Sequence, residues 1–178
     1  MLYARIGLER IGVLVGPQGA TKKLLEESTR VKITIDSTTG EVSVDESTAS
    51  DPSLALKVRD IVVAIGRGFS EERALRLLDE DVYLQVLEVK DYARSRGRVA
   101  QVKGRLIGSR GKTRRIIEEM TGADVSVHGH TVAVIAASFQ LPVAVEALEM
   151  LLRGSEHSTV YRFLERKREE LRPFEMGF

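Results

Sequence analysis

The sequence predicts an α+β protein made of two tandem copies of one small domain, each a three-stranded sheet with helices packed on one face and an extra C-terminal helix. Three observations predict it. "GVLVGPQGATKKLLEESTRVKITID" from Gly12 recurs without a gap as "GRLIGSRGKTRRIIEEMTGADVSVH" from Gly104, 92 residues later. Each copy is preceded by a segment of alternating apolar and polar residues and followed by a period-two hairpin. The 178 residues hold two small domains comfortably, which sets the boundaries at 1–80 and 81–178.

What repeats is G-x-L-[VI]-G-x-x-G-x-T. In the first copy "LYARIGL" reads as a half-buried strand, and a short turn of helix through "RIGVLV" leads to the loop Gly16-Pro17-Gln18-Gly19. The following helix has Leu24, Leu25 and Ser28 at three-and-four spacing, recurring as Ile116, Ile117 and Met120, which predicts its buried face. "VKITID" and "EVSVD" form a hairpin around "STTG". Asp51 and Pro52 open a helix as N-cap and first-turn proline, with Leu54, Val58, Ile61, Val62 and Ile65 as its buried stripe.

The second copy has the same order: strand "VYLQVLEV", the loop Gly108-Ser109-Arg110-Gly111, a helix capped by Gly122, the hairpin "ADVSVHGHTVAVI" and a helix from about Pro142 to Leu152. "RGFSEERALRLLDE" and "RGSEHSTVYRFLER" then match at a shift of 86 residues, so each copy ends in an additional amphipathic helix. The tail "YRFLERKREELRPFEMGF" reads as a charged helix stopped before Pro173, with Phe174 and Phe178 beyond it either anchoring a partner or loose.

"GSRGKT" invites a nucleotide-triphosphate reading, in which Lys112 reaches the phosphates and Thr113 holds magnesium. The spacing opposes it: the glycine such a loop needs five residues before Gly111 is Leu106, and Ala20 replaces the lysine in the first copy. Nor can a Ser-His-Asp group be assembled. The chain is therefore expected to be no enzyme and to carry no cofactor and no metal. The absence of cysteine removes disulfides and thiolate ligands, and His128 and His130 are two ligand types on a turn with no third. The carboxylate pairs Glu26-Glu27 and Glu118-Glu119 read as solvated helix faces. No apolar run has the length of a membrane span and the N-terminus lacks a signal-peptide core, so a cytoplasmic protein with no membrane partner is expected.

Charge distribution says more than the net charge of +1. From Arg94 to Arg115 the chain carries nine basic residues and no acidic one, and this run straddles the second glycine loop, which places an anionic ligand there.

Strand, helix, G-x-x-G, helix, strand, strand, helix resembles the type I KH domain, on the strength of "RIGVLVGPQG" and "KGRLIGSRG" in matching surroundings. More narrowly, "DYARSRGRVAQVKGRLIGSRGKTRRIIEEMTGADV" resembles the archaeal KH proteins of the partner-of-Nob-one (Dim-two) ribosome-biogenesis family. That resemblance implies non-catalytic binding of single-stranded small-subunit ribosomal RNA near its 3′ end during ribosome maturation, with a ribosome-maturation endonuclease as a further partner. The alternatives are a KH protein of another RNA pathway, messenger RNA or exosome-type, and a nucleotide hydrolase using "GSRGKT". Carried over by position, Gly108, Ser109, Arg110 and Gly111 form the RNA clamp, with Leu106, Ile107 and Val125 as groove residues. Lys103, Arg105, Lys112, Arg114 and Arg115 supply the phosphate field. In the first copy the corresponding set is Gly16, Pro17, Gln18, Gly19, Lys22 and Lys23; it lacks a cation inside the loop, and its expected role is secondary: scaffold, protein-binding surface or weak RNA site.

Overall fold

The computed structural model describes residues 1–177. The chain divides into two compact units, Met1–Glu80 and the residues from Asp81 onward. Among the described residues no helix is long and apolar enough to cross a membrane.

The first unit runs β1 (Leu2–Arg5), α1 (Ile11–Val15), α2 (Ala20–Thr29), β2 (Lys32–Ile35), β3 (Glu41–Asp45), α3 (Pro52–Gly66) and α4 (Glu71–Ala74). Its antiparallel sheet has the order β1-β3-β2, with Leu2 and Ile33 both opposite Val44. That register turns Val42 and Val44 of the central strand to one face, where they are fully buried with Leu14, Leu25, Ile33, Val58 and Ile61. Asp36 builds the hairpin turn: its carboxylate accepts from the Thr38 amide at 2.9 Å and its own carbonyl accepts from the Gly40 amide at 2.8 Å. Asp51 caps α3, accepting from the Ser53 amide at 2.9 Å, with Pro52 in the first turn. In α3, Ala55 and Ala64 join Val58, Ile61, Val62 and Ile65 in the core, while Leu54 is only half-buried.

The second unit repeats the order as β4 (Val82–Glu88), α5 (Arg96–Ile107), α6 (Lys112–Thr121), β5 (Asp124–His128), β6 (Thr131–Ala137), α7 (Leu141–Leu152) and α8 (His157–Glu175), with sheet order β4-β6-β5. Its core joins Val102 and Leu106 of α5, Ile117 of α6, Val125, Val132 and Val134 of the sheet, Leu148 and Leu151 of α7 and Val160 of α8. α5 is longer than its counterpart α1 because Ser95 supplies an N-cap, accepting from the Arg98 amide at 3.1 Å, whereas the turn before α1 has no side-chain cap.

Three expectations are corrected. The buried stripe of the loop-following helices is Thr21, Leu25 and Thr29, repeated as Thr113, Ile117 and Thr121; Leu24 is 46% exposed and Ser28 is exposed. The stripe is one position off because threonine is buried here through its own backbone bonds. Thr121 Oγ1 donates to Ile117 O at 2.7 Å and accepts from the Ala123 amide at 3.1 Å, and Thr29 repeats both contacts with Leu25 and Val31. The extra helix of the first unit is short, four residues of α-helix followed by a 3-10 turn, against 19 residues for α8. And α8 runs through Pro173 to Glu175. The proline nitrogen cannot donate to the Glu169 carbonyl, so one helical bond is forgone, while the next turn still closes through Met176 N–H to Arg172 O at 3.1 Å and Phe174 stacks on Phe139 with centroids 5.4 Å apart. Phe178 lies outside the described residues.

Candidate nucleic-acid interface

The two glycine loops have the same backbone. Gly16 and Gly108 stand at φ 76° with ψ 171° and 174°; Gln18 and Arg110 are left-handed at φ 55° and 53°; Gly19 and Gly111 are left-handed at φ 77° and 74°. Each turn reverses the chain between two helices within four residues. Its two glycines are required for different reasons. A Cβ on Gly108 would lie 2.7 Å from the Thr113 amide nitrogen and closer still to the Thr113 hydroxyl, so the first glycine lets the following helix close under the loop. A Cβ on Gly111 meets nothing nearer than Arg114 Nη2 at 3.8 Å. There the glycine serves the left-handed turn and keeps the outer surface bare, which allows another chain's backbone to approach.

Thr113 is 2% exposed, and its hydroxyl shares a hydrogen bond of 3.2 Å with Tyr161 Oη of α8. It packs beneath the loop instead of facing outward, so the "GSRGKT" stretch presents no hydroxyl for a phosphate-bound magnesium. The repeated threonine belongs to the fold of the turn. Thr21 is buried in the same way, but its hydroxyl has no hydrogen-bond partner among the described residues.

The expected phosphate field divides into engaged and free cations. Arg105 donates to Leu151 O at 2.8 Å and to Ser155 O, binding α5 to the end of α7, while His157 Nε2–H donates to the Arg105 carbonyl at 3.0 Å. Arg114 pairs with Glu118 at 2.6 Å, and Glu118 also accepts the Val125 amide at 3.0 Å. Arg115 donates to the loop carbonyls of Arg110 at 3.0 Å and Gly111 at 3.4 Å, closing the strained turn from outside. Lys103 lies apart from the loop, in a concavity with Arg94, Arg96 and His130. Arg110 and Lys112 remain exposed at the loop, and among the described residues neither side chain makes a hydrogen bond or ion pair. Beside them the first turn of α6 has no side-chain cap; the Gly111 and Lys112 amides donate to Gly108 O and Ser109 O within the loop, and the positive dipole end of the helix carries no acidic neighbour in its first turn.

Of the expected groove residues, Leu106 and Val125 are core, 0% and 2% exposed, and only Ile107 is half-exposed. Ile116 on α6 and Val127 on β5 are partly buried hydrophobics packed against the core. β5 is an edge strand, and Val125 and Val127 turn their amides to its free side, alternating with residues paired to β6. The carboxylate Glu118 occupies the first of these amides, so it is a fastener between helix and strand; Glu26 does the same for the Ile33 amide at 3.2 Å. A repeated glutamate seven residues before a strand amide was the available signal. Glu119 and Glu27 are exposed, as a solvated face requires.

In the first unit the loop side chains Pro17 and Gln18 are uncharged, and both nearby lysines are paired within α2, Lys22 with Glu26 at 3.5 Å and Lys23 with Glu27 at 3.9 Å. The positions matching Arg110 and Lys112 are Gln18 and Ala20, so the two free cations of the second loop have no counterpart. Among the described residues no group of three or more His, Cys, Asp or Glu side chains is placed to hold a metal ion.

Residues 83–169 match the family model of the eukaryotic type KH-domain, KH-domain type I, in the form of the second such domain of the partner-of-Nob-one proteins. The KH domain-containing protein MJ0443 of Methanocaldococcus jannaschii is 44% identical over 168 residues, which cover 94% of this chain and 74% of that protein. Dim2p from Pyrococcus horikoshii is 51% identical with a TM-score of 0.86, over 93% of this chain and 98% of that one. The same protein in a complex with a/eIF2alpha and rRNA is 50% identical with a TM-score of 0.88, covering 96% and 94% of the two chains. A protein of unknown function from Aeropyrum pernix, APE0754, is 38% identical with a TM-score of 0.90, over 98% of this chain and 94% of its own. With two units of the same strand and helix order, two glycine loops of one shape and this likeness along nearly its whole length, the chain belongs to the Dim2p, or partner-of-Nob-one, family of KH-domain proteins.

Proposed function

We propose that the chain is a non-catalytic single-stranded RNA-binding protein of small-subunit ribosome maturation, made of two type I KH domains, and that it binds ribosomal RNA near the 3′ end through the second. The observation that carries this is the pair of free cations, Arg110 and Lys112, standing beside an uncapped helix start on a loop whose glycine Gly111 bares the backbone. A sugar-phosphate chain laid over Gly108–Gly111 meets two cations beside the positive dipole end of α6 without displacing any internal ion pair. The half-buried Ile116 and Val127, with the β5 edge, form the adjacent surface on which bases stack and are read. The relative solved with rRNA supports the choice of ligand. In the first unit the same backbone carries no free cation, which fits a scaffold.

The test is a salt titration of binding to a single-stranded fragment of the ribosomal RNA 3′ end, with wild type, Ser109→Asp/Arg110→Asp and Pro17→Asp/Gln18→Asp. Binding collapses in the first variant and falls much less in the second. Equal losses would assign RNA to both loops, and no loss in either would remove the loops from the RNA site.

A further inference from the structure

From the start of α5 along one side of the helix, Lys90, Arg94, Arg96, Lys103 and His130 line one concavity over Ser95, Val99 and Ala100. No carboxylate lines it. All but the half-exposed Lys103 are exposed, and among the described residues none of these five side chains makes a hydrogen bond or ion pair. That distinguishes the concavity from the loop region, where Arg105, Arg114 and Arg115 are each committed to internal acceptors. The acid-free basic run therefore resolves into two sets of free cations: Arg110 and Lys112 at the loop, and Arg94, Arg96 and Lys103, which with Lys90 line the concavity from the start of α5 along its side. Lys90 and His130 stand outside the run in sequence. They reach the concavity because the turn after β4 pairs with the hairpin tip, the Val89 amide donating to His130 O at 2.8 Å.

Like charges gathered in one concavity without a counter-ion work against the fold, and an anionic partner relieves the repulsion. We propose that the concavity is a second phosphate-binding site, which takes the sugar-phosphate backbone of the same RNA strand beyond the nucleotides clamped by the glycine loop. Arginine and lysine there contact phosphates, so the site adds affinity and salt dependence and sets how long a strand the domain covers, without selecting bases. This rests on the RNA reading of the loop and extends it from a four-nucleotide clamp to a tract along α5.

Two single-stranded RNAs, four and twelve nucleotides long, separate the two sites. Wild type binds the longer more tightly. In Lys90→Gln/Arg94→Gln/Arg96→Gln the gain with length disappears and the salt slope for the longer RNA flattens by about two units, at about 0.7 per phosphate contact, while binding of the four-nucleotide RNA is unchanged. Circular dichroism and melting confirm that the variant folds; the three side chains are exposed, and none has an internal partner among the described residues. Undiminished binding of the longer RNA by the variant, or equal weakening of both RNAs, overturns the proposal. Failure of the loop reading is distinguishable: Ser109→Asp/Arg110→Asp would then leave the four-nucleotide affinity intact while the triple variant still lost its length effect.

Discussion

Glu118 reaches the Val125 amide with one carboxylate oxygen at 3.0 Å and Arg114 with the other at 2.6 Å, so a single side chain ties α6 to the free edge of β5. The side chain is 13% exposed. Glu118→Ala leaves a strand amide and a guanidinium without their acceptor and is expected to lower the unfolding free energy by about 1–3 kcal/mol. Glu119→Ala, one residue on and exposed, changes it by less than about 0.5 kcal/mol. Urea unfolding of the two variants checks the contrast.

The two glycines of the second loop fail differently when substituted. Gly108→Ala places a Cβ against Thr113 in a backbone region almost confined to glycine and is expected to cost about 3 kcal/mol of stability. Gly111→Ala has room for its methyl group and costs about 1 kcal/mol of left-handed strain, but the methyl stands on the outer face of the turn. It should therefore lower RNA affinity far more than stability. Denaturant unfolding and RNA titration on the same samples separate the two effects.

Arg105 and Arg110 lie five residues apart with opposite roles. Arg105→Ala removes the bonds to Leu151 and Ser155 carbonyls and destabilises the second unit by about 1–3 kcal/mol, leaving the salt dependence of RNA binding unchanged. Arg110→Ala leaves stability unchanged or slightly higher and flattens the salt slope by about 0.7. Melting curves and salt titrations of both variants decide the assignment.

Asp60 on α3 gives a pH signature to the first unit. Burial raises its carboxyl above the usual carboxylate range, only partly opposed by Arg59 and Lys57. A carboxyl raised on folding binds its proton more readily in the folded state, so it works against stability at neutral pH, and that penalty fades as pH falls through the raised value. Asp60→Asn is expected to raise the unfolding midpoint at pH 7, with a gain that shrinks steadily as pH is lowered. A constant gain between pH 7 and pH 4 would mean that protonation of this carboxyl plays no part.

The periodic signals of the sequence carried the sheet, the helix order and the loops. Val42 and Val44 announce their face by alternation, Asp51-Pro52 announces a helix start, and the duplicated glycines announce two identical turns. What periodicity does not carry is the destination of a polar side chain. Thr21 and Thr113 look like surface residues until their hydroxyls are followed inward, and Arg105 looks like a phosphate ligand until the carbonyls it meets, 46 and 50 residues later, are known. Leu106 and Val125 show the converse: an apolar residue beside a glycine loop is as consistent with the core as with a groove, and only the packing of α5 and β5 decides. Pro173 shows the limit of a local rule, since α8 runs through it to Glu175 with one backbone bond forgone.

The identical backbones of the two turns also bear on how such a protein diverges. Shape is set by two glycines and a buried threonine, and the pair of side chains between the glycines projects outward without holding the turn together. After duplication, mutation at those two positions alters what a turn attracts while leaving its folding intact. Proline-glutamine at one site and serine-arginine at the other are thus two settings of one backbone frame, and the charge of the turn changes between them without any change of its architecture.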